Sequence, residues 1–348
     1  MKSVASIALA SSLLAATAQA TSYSLVDNYN SSNFFTGFEF FDAADPTNGF
    51  VDYVDAQTAS QSGLAGYVNG MVYLGADHNT ANPASGRAST RVTSNKGYEK
   101  GLFVADIQHM PVGCGVWPAF WTLGQNWPGG GEIDIIEGVN SQSTDAITLH
   151  TAAGCTMSSS GSAAGTQYST GAASVDCGAD GGYAGCSLST TTTNAYGPAF
   201  NENGGGVYVM ELTSQAISVW FFARNTDQAT SLASGATPDT ANFGTPMGMF
   251  TGCDIDQYFS AQQIIFDTTF CGDWAGQVWA QDATCAPLAS SCNAYVQQNT
   301  AAFVDAYWLI NSVKVYQAGS TGASKRRSPP KTEVKTQKEG VVPVPFMA

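Results

Sequence analysis

Short runs in which apolar and polar residues alternate recur along the chain: Tyr67 to Leu74, Leu102 to Ile107, Val207 to Leu212 and Ile217 to Phe222. Alternation with period 2 predicts half-buried β-strands, because successive side chains on a strand point to opposite faces. Gly, Thr, Ser, Tyr and Val are abundant while Lys and Glu are scarce, which agrees with strands joined by turn-rich loops. Helical spacing is rare, and no fixed-period repeat, heptad or second apolar segment of spanning length appears. The pattern predicts one all-β domain, of a size compatible with a large sandwich.

One run sets acids among apolar residues: Gly131-Glu132-Ile133-Asp134-Ile135-Ile136-Glu137-Gly138. On a regular strand Glu132 and Asp134 share a face and Glu137 falls on the other. An extra residue at Ile135-Ile136, in a β-bulge, would return Glu137 to the face of the first two, and bulges are common beside active sites because they re-aim a side chain. A solvated strand edge would also carry acids, but three carboxylates on one face repel, and the repulsion raises at least one pKa. The result is an acid beside a base or nucleophile, which is what glycosidases with paired carboxylates require; spacing alone leaves open which Glu attacks.

The ends of the chain differ from its middle. Met1–Ala20 has Lys2, an Ala/Leu-rich apolar run and Ala18-Gln19-Ala20, the pattern of a secretory signal peptide cleaved after Ala20; the run is short for a membrane span. The expected location is therefore secreted and extracellular, with the folded domain at 21–318. An even count of eight cysteines suits disulfides in an exported chain. Cys177 with Cys186 and Cys285 with Cys292 are the short-range pairings expected. No Cys-x-x-Cys occurs and His78, His109 and His150 lie far apart in sequence, so the spacings do not suggest a metal site. Asn30-Ser31-Ser32 is a glycosylation sequon.

The formal net charge is −14, yet the stretch after Gly319 is basic, with Lys325, Arg326, Arg327, Lys331, Lys335 and Lys338 against Glu333 and Glu339. The domain is thus more acidic than the whole chain. That balance disfavours nucleic acid and anionic polymers and suits a neutral polysaccharide. Residues 319–348, with Pro329-Pro330 and few large apolar side chains, are expected to form a disordered tail. The tail is too short and proline-broken at its end for a lipid-anchor signal, so no membrane partner is expected.

Segments flanking the acids carry a resemblance. Gly115-Val116-Trp117-Pro118-Ala119-Phe120-Trp121, Asn126-Trp127-Pro128, Glu-Ile-Asp-Ile-Ile-Glu at 132–137 and Thr148-Leu149-His150-Thr151, with Gly86-Arg87-Ala88-Ser89-Thr90-Arg91, Gly101-Leu102-Phe103 and Phe266 through Gly276, resemble glycoside hydrolase family 16. The likeness is to fungal laminarinase-like endo-1,3(4)-β-glucanases and covers roughly residues 25 to 317. It implies a β-jelly-roll of two antiparallel sheets with a concave substrate cleft. It further implies Glu132 as nucleophile, Glu137 as acid/base and Asp134 as the residue between them that positions or protonates a neighbour. The extra residue at Ile135-Ile136 places the chain on the laminarinase side, where 1,3 linkages are usually accepted.

Aromatic faces pack against the apolar face of a pyranose, so Trp121, Trp127 and Trp274 are candidates for substrate contact. Arg91, Asn140 and His150 could bond sugar hydroxyls, and relatives have a histidine after the acid motif. Trp117, beside Pro118 and read as out of phase with Trp121, is expected to pack in the core. The chemistry needs no cofactor; a structural calcium occurs in some relatives, and no sequence feature decides it here. The resulting expectation is a monomeric, secreted retaining endo-β-glucanase acting on 1,3- and mixed 1,3/1,4-linked β-glucans. A cell-wall transglycosylase would keep the same acids, and a glucan-binding lectin would be expected to lose one.

Overall fold

A computed structural model describes residues 22–158, 167–168, 175–179, 185–318 and 343–346. Two large antiparallel sheets dominate it. The front sheet runs, in spatial order, Gln167–Tyr168, Cys186–Ser189, Ala146–His150, Glu132–Glu137, Val116–Leu123, Gln262–Phe270, Arg91–Tyr98 and Phe38–Phe40. The back sheet runs Gly248–Phe250, Ile217–Ala223, Gly206–Leu212, Gly101–His109, Tyr307–Ala318, Met71–Gly75 and Ala65–Val68, with Tyr23–Asn30 also on Tyr307–Ala318. Described helices are short, none longer than seven residues, as the scarcity of helical periodicity predicts. Among the described residues no helix is long and apolar enough to cross a membrane.

The alternation read from the sequence becomes the packing. Phe103, Ala105 and Ile107 of the back sheet meet Ile133, Ile135, Phe120 and Phe266 of the front sheet in one core, all buried. The opposite faces of two back strands, through Leu102, Val104, Val207 and Val209, are covered by the helix Asp227–Ala233 through Ala229 and Leu232. This leaves the outer face of the front sheet to carry the polar site. The run Tyr67 to Leu74 needs a correction: it is a hairpin, broken by Asn69 and Gly70, both at positive φ. Such Asn-Gly turns twist with the flanking strands.

Four disulfides form: Cys114–Cys285, Cys155–Cys253, Cys177–Cys186 and Cys271–Cys292. The short pairing at Cys177 and Cys186 holds, whereas Cys285 with Cys292 does not. Those two neighbours lie in one cluster around Trp279 and Val296, but Cys285 meets Cys114 just before the strand Val116–Leu123, and Cys292 meets Cys271 just after the adjacent strand Gln262–Phe270. The short helix Ala286–Leu288 separates the two cysteines, and each finds its partner from a distant part of the chain.

The expected signal segment Met1–Ala20 and most of the basic tail lie outside the described residues. At its far end, however, residues 343–346 lie against the domain. Val344 exchanges two backbone hydrogen bonds with Tyr67 on the edge strand Ala65–Val68, at 2.9 and 2.8 Å. Phe346 stacks on Phe35 at 3.9 Å, and Ser60 Oγ donates to its carbonyl at 2.8 Å. A Cβ at position 66 would sit 2.4 Å from the Val344 oxygen, so Gly66 is what allows this approach. A four-residue apolar patch in a polar tail can outweigh its ordering entropy when it finds both an unpaired strand edge and an aromatic pocket. We expect Phe346→Ala to lower the melting temperature by roughly 2–6 °C without changing turnover; an unchanged melting curve would show that this contact contributes nothing.

Candidate active site

The strand Glu132–Glu137 is bulged. Against Val116–Leu123 its register reads Glu132 to Leu123, Ile133 to Thr122 and Asp134 to Trp121, then slips so that Ile136 faces Phe120 and Glu137 faces Ala119. The extra residue is Ile135, and both Ile135 and Ile136 are fully buried. Glu137 thereby joins Glu132 and Asp134 on the outer face, as the phase argument requires.

Register across the sheet explains what each acid meets. Glu137 lies beside Ala119, which pairs with Asp267, which pairs with Arg91. Asp134 lies between Trp121 and Thr148, and Glu132 between Leu123 and His150. Small Ala119 keeps the row open between Glu137 and Asp267.

Hydrogen bonds then orient the carboxylates. Trp117 Nε1 donates to Glu137 Oε1 at 2.9 Å, and Trp127 Nε1 donates to Glu132 Oε2. Trp117 therefore belongs to the site, contrary to the core role expected for it. Positions 117 and 121 are four apart, an even separation, so alternation already puts both on one face. Trp274 stands edge-on to Trp117 at 5.6 Å, and Trp127 remains 40% exposed. Trp121 is fixed instead of free: its Nε1 donates to Asp267 Oδ1 at 2.7 Å, and the Arg91 guanidinium lies 5.0 Å from its ring centre.

His150 Nε2 is 3.5 Å from Asp134 Oδ2. Gly185 leaves room for that ring, since a Cβ there would come within 2.7 Å of Nδ1. Glu132, Asp134 and His150 each offer a ligand atom within 4.8 Å of the others, a set able to accept a divalent cation. The same closeness also serves proton sharing between the two carboxyls. Asn140, expected to bond sugar hydroxyls, holds backbone in this structure: its Oδ1 accepts from Gly115 N and its Nδ2 donates to the Ala275 carbonyl, both at 2.9 Å. Both ends of the amide are thus committed to backbone, next to Trp274.

Burial and like charge set the protonation. Asp134 is pushed well above the usual carboxylate range by burial first, then by the charges of Glu137 and Glu132. Glu137 is pushed up to about 8, mainly by burial, against the lowering effect of the Trp117 hydrogen bond. A carboxyl that stays protonated near neutral pH is a competent general acid. Asp267 escapes a reading by sequence alone, although it lies within the stretch Phe266 through Gly276 that carries part of the resemblance. It is raised to about 6 by burial while Arg91, Trp121 and Tyr53 draw it back. Tyr53 OH donates to its Oδ2 at 2.9 Å, so Asp267 anchors the Trp121 wall from below.

A two-sheet sandwich with three carboxyls on one bulged strand, flanked by indoles, is a jelly-roll of the glycoside hydrolase class. Residues 38–316 match the family profile described as an XgeA-like, catalytic GH16 domain, and the chain belongs to glycoside hydrolase family 16. It is 48% identical over 331 residues to a protein of Aspergillus fumigatus named as a probable endo-1,3(4)-β-glucanase, covering 91% of this chain and 49% of that one. The chain thus spans about half the length of the curated relatives it matches first. Laminarinase 16A of Phanerochaete chrysosporium, solved with β-glucans in donor and acceptor sites, has a similar structure, with a TM-score of 0.79 and 45% identity over 85% of this chain and 100% of that one. An elongating family 16 β-1,3-glucosyltransferase is similar at a TM-score of 0.78, 45% identity and the same coverage.

Proposed function

We propose that this protein is a secreted retaining endo-β-glucanase that cleaves 1,3-linked and mixed 1,3/1,4-linked β-glucans by double displacement. The observation that carries the proposal is the bulge, which sets Glu132 and Glu137 on one face with different environments. Glu132, partly exposed and oriented by Trp127, attacks the anomeric carbon; Glu137, buried and protonated, gives its proton to the departing glycosidic oxygen. Asp134, held neutral, donates to Glu132 and releases that hydrogen bond as the glycosyl ester forms. In the second step Glu137 takes a proton from water, which opens the ester with net retention. Trp121, Trp127 and Trp274 offer ring faces to the sugars, and His150 and Arg91 stand where hydroxyls would pass. The net acidic charge suits a neutral glucan, on which the enzyme acts as a monomer. Four disulfides and the leader-like Met1–Ala20 support export.

The test is a hydrolysis screen on laminarin, lichenan, xyloglucan and agarose with the anomeric form of the first product read by NMR. Release of β-configured ends from laminarin is expected; no reducing sugar from either laminarin or lichenan would sink the proposal. A second reading, transfer of the glycosyl unit to a sugar acceptor, draws support from the similarity to the elongating glucosyltransferase. Labelled acceptor oligosaccharides would separate the two, because only transfer places label in longer products.

A further inference from the structure

The bulge that turns Glu137 toward the site also takes its backbone out of the ladder. On the side away from Val116–Leu123, the strand Glu132–Glu137 pairs with Ala146–His150 only as far as Asp134 opposite Thr148. Beyond that point Glu137 N–H has no strand carbonyl to meet, and it donates instead to the side chain of Asp145, Oδ1 at 2.9 Å. Asp145 is 1% exposed and lies at the base of the next strand. Its other oxygen, Oδ2, is 3.3 Å from the hydroxyl of Tyr208, a fully buried residue on the back sheet.

Proton counting fixes the state of this group. Tyr208 OH lies 2.5 Å from the Ala195 carbonyl, which can only accept, so the single phenolic proton is committed there. The contact between Tyr208 and Asp145 then needs a proton from the carboxyl. Burial, the foremost cause, drives the Asp145 carboxyl well above its ordinary range and outweighs the hydrogen bonds with Glu137 N–H, Tyr208 and the Ala146 amide, which draw it back.

We propose that Asp145 is a positioning residue, a neutral carboxylic acid that ties the bulged end of the catalytic strand to the back sheet and so holds Glu137 at the angle its acid/base role needs. The inference rests on the reading of Glu137 as acid/base. Asp145 accepts from Glu137 N–H with one oxygen and donates to Tyr208 with the other. No other described side chain bonds to the Glu137 amide.

An amide of the same shape offers the same acceptor and a donor in place of the acid O–H. In the full chain, Asp145→Asn is therefore expected to keep kcat on laminarin within about 3-fold of wild type and to leave the pH profile unmoved. Asp145→Leu removes both bonds; kcat should fall roughly 10- to 100-fold with KM little changed, as expected when a catalytic group is displaced by about 1 Å. Its basic limb should move to lower pH, because a loosened Glu137 gains water. Hydrogen exchange at the Glu137 amide, read by NMR without substrate, should be slow in wild type and Asp145→Asn and faster in Asp145→Leu. Should Asp145→Leu not fold, Asp145→Ser, too short to reach either partner, replaces it.

If Asp145→Asn loses as much as Asp145→Leu, an ionised carboxylate is required and the neutral-acid account is wrong. Should Asp145→Leu, or its serine substitute, keep kcat, the basic limb and amide protection, Asp145 does not position Glu137. A wild-type protein inactive on every β-glucan would overturn the enzymatic reading, and the exchange measurement would still decide whether Asp145 pins the bulge.

Discussion

Glu132→Gln is expected to lower β-glucan hydrolysis at least about 10³-fold while leaving the melting temperature close to wild type. Glutamine has the shape of glutamate and can still accept from Trp127 Nε1, and Glu132 sits at the partly exposed start of its strand. The fold therefore has no reason to change. What disappears is the nucleophile: a neutral amide does not form the glycosyl ester, so the first displacement stops. Purified Glu132→Gln that retains more than about a few per cent of the rate would mean the ester forms elsewhere, and the assignment would pass to another carboxylate.

Glu137→Ala should fail differently. Loss of proton donation is expected to slow laminarin hydrolysis by about 10²- to 10⁴-fold. An aryl glucoside with a good leaving group needs no such proton, so glycosyl-enzyme should still form on it. The open space left by the side chain should let azide attack the ester and give a glycosyl azide of retained configuration. Glu132→Ala, by contrast, should be rescued to the inverted azide, because the anion replaces the nucleophile itself. The wild-type pH profile makes the same assignment. Glu137 acts protonated in the first step and is held at about 8, so rate should fall as pH rises through that value. On the aryl glucoside, Glu137→Ala should lose this limb. A limb that persists in Glu137→Ala, or azide products of swapped configuration, would exchange the two roles.

The placement of these two glutamates on one face is legible in the sequence because its logic is local. Period-2 alternation decides the face of each residue on a strand, and an odd offset between Asp134 and Glu137 with two consecutive isoleucines between them demands a bulge if all three acids are to share a face. The strands at Leu102, Val207 and Ile217 follow from the same rule, as do the buried Ile133 and Ile135. The same rule, applied to positions 117 and 121, also places Trp117 on the face of Trp121 and so beside the acids.

Tertiary structure decided the long-range partners. Alternation says which way a side chain points and nothing about what comes to meet it from another strand. Asp267 reaches Trp121 and Tyr53 from residues 146 and 214 positions away, and Tyr208 reaches Asp145 from the opposite sheet. Cys285 turns from nearby Cys292 to Cys114, 171 residues distant, because the chain brings that loop to it. Phe346 finds the Phe35 pocket beside an edge strand whose free backbone groups the sequence does not reveal. Each of these contacts closes a long loop, whose entropic cost grows only slowly with length, so burial and hydrogen bonding at the meeting point, and not separation along the chain, select the pair.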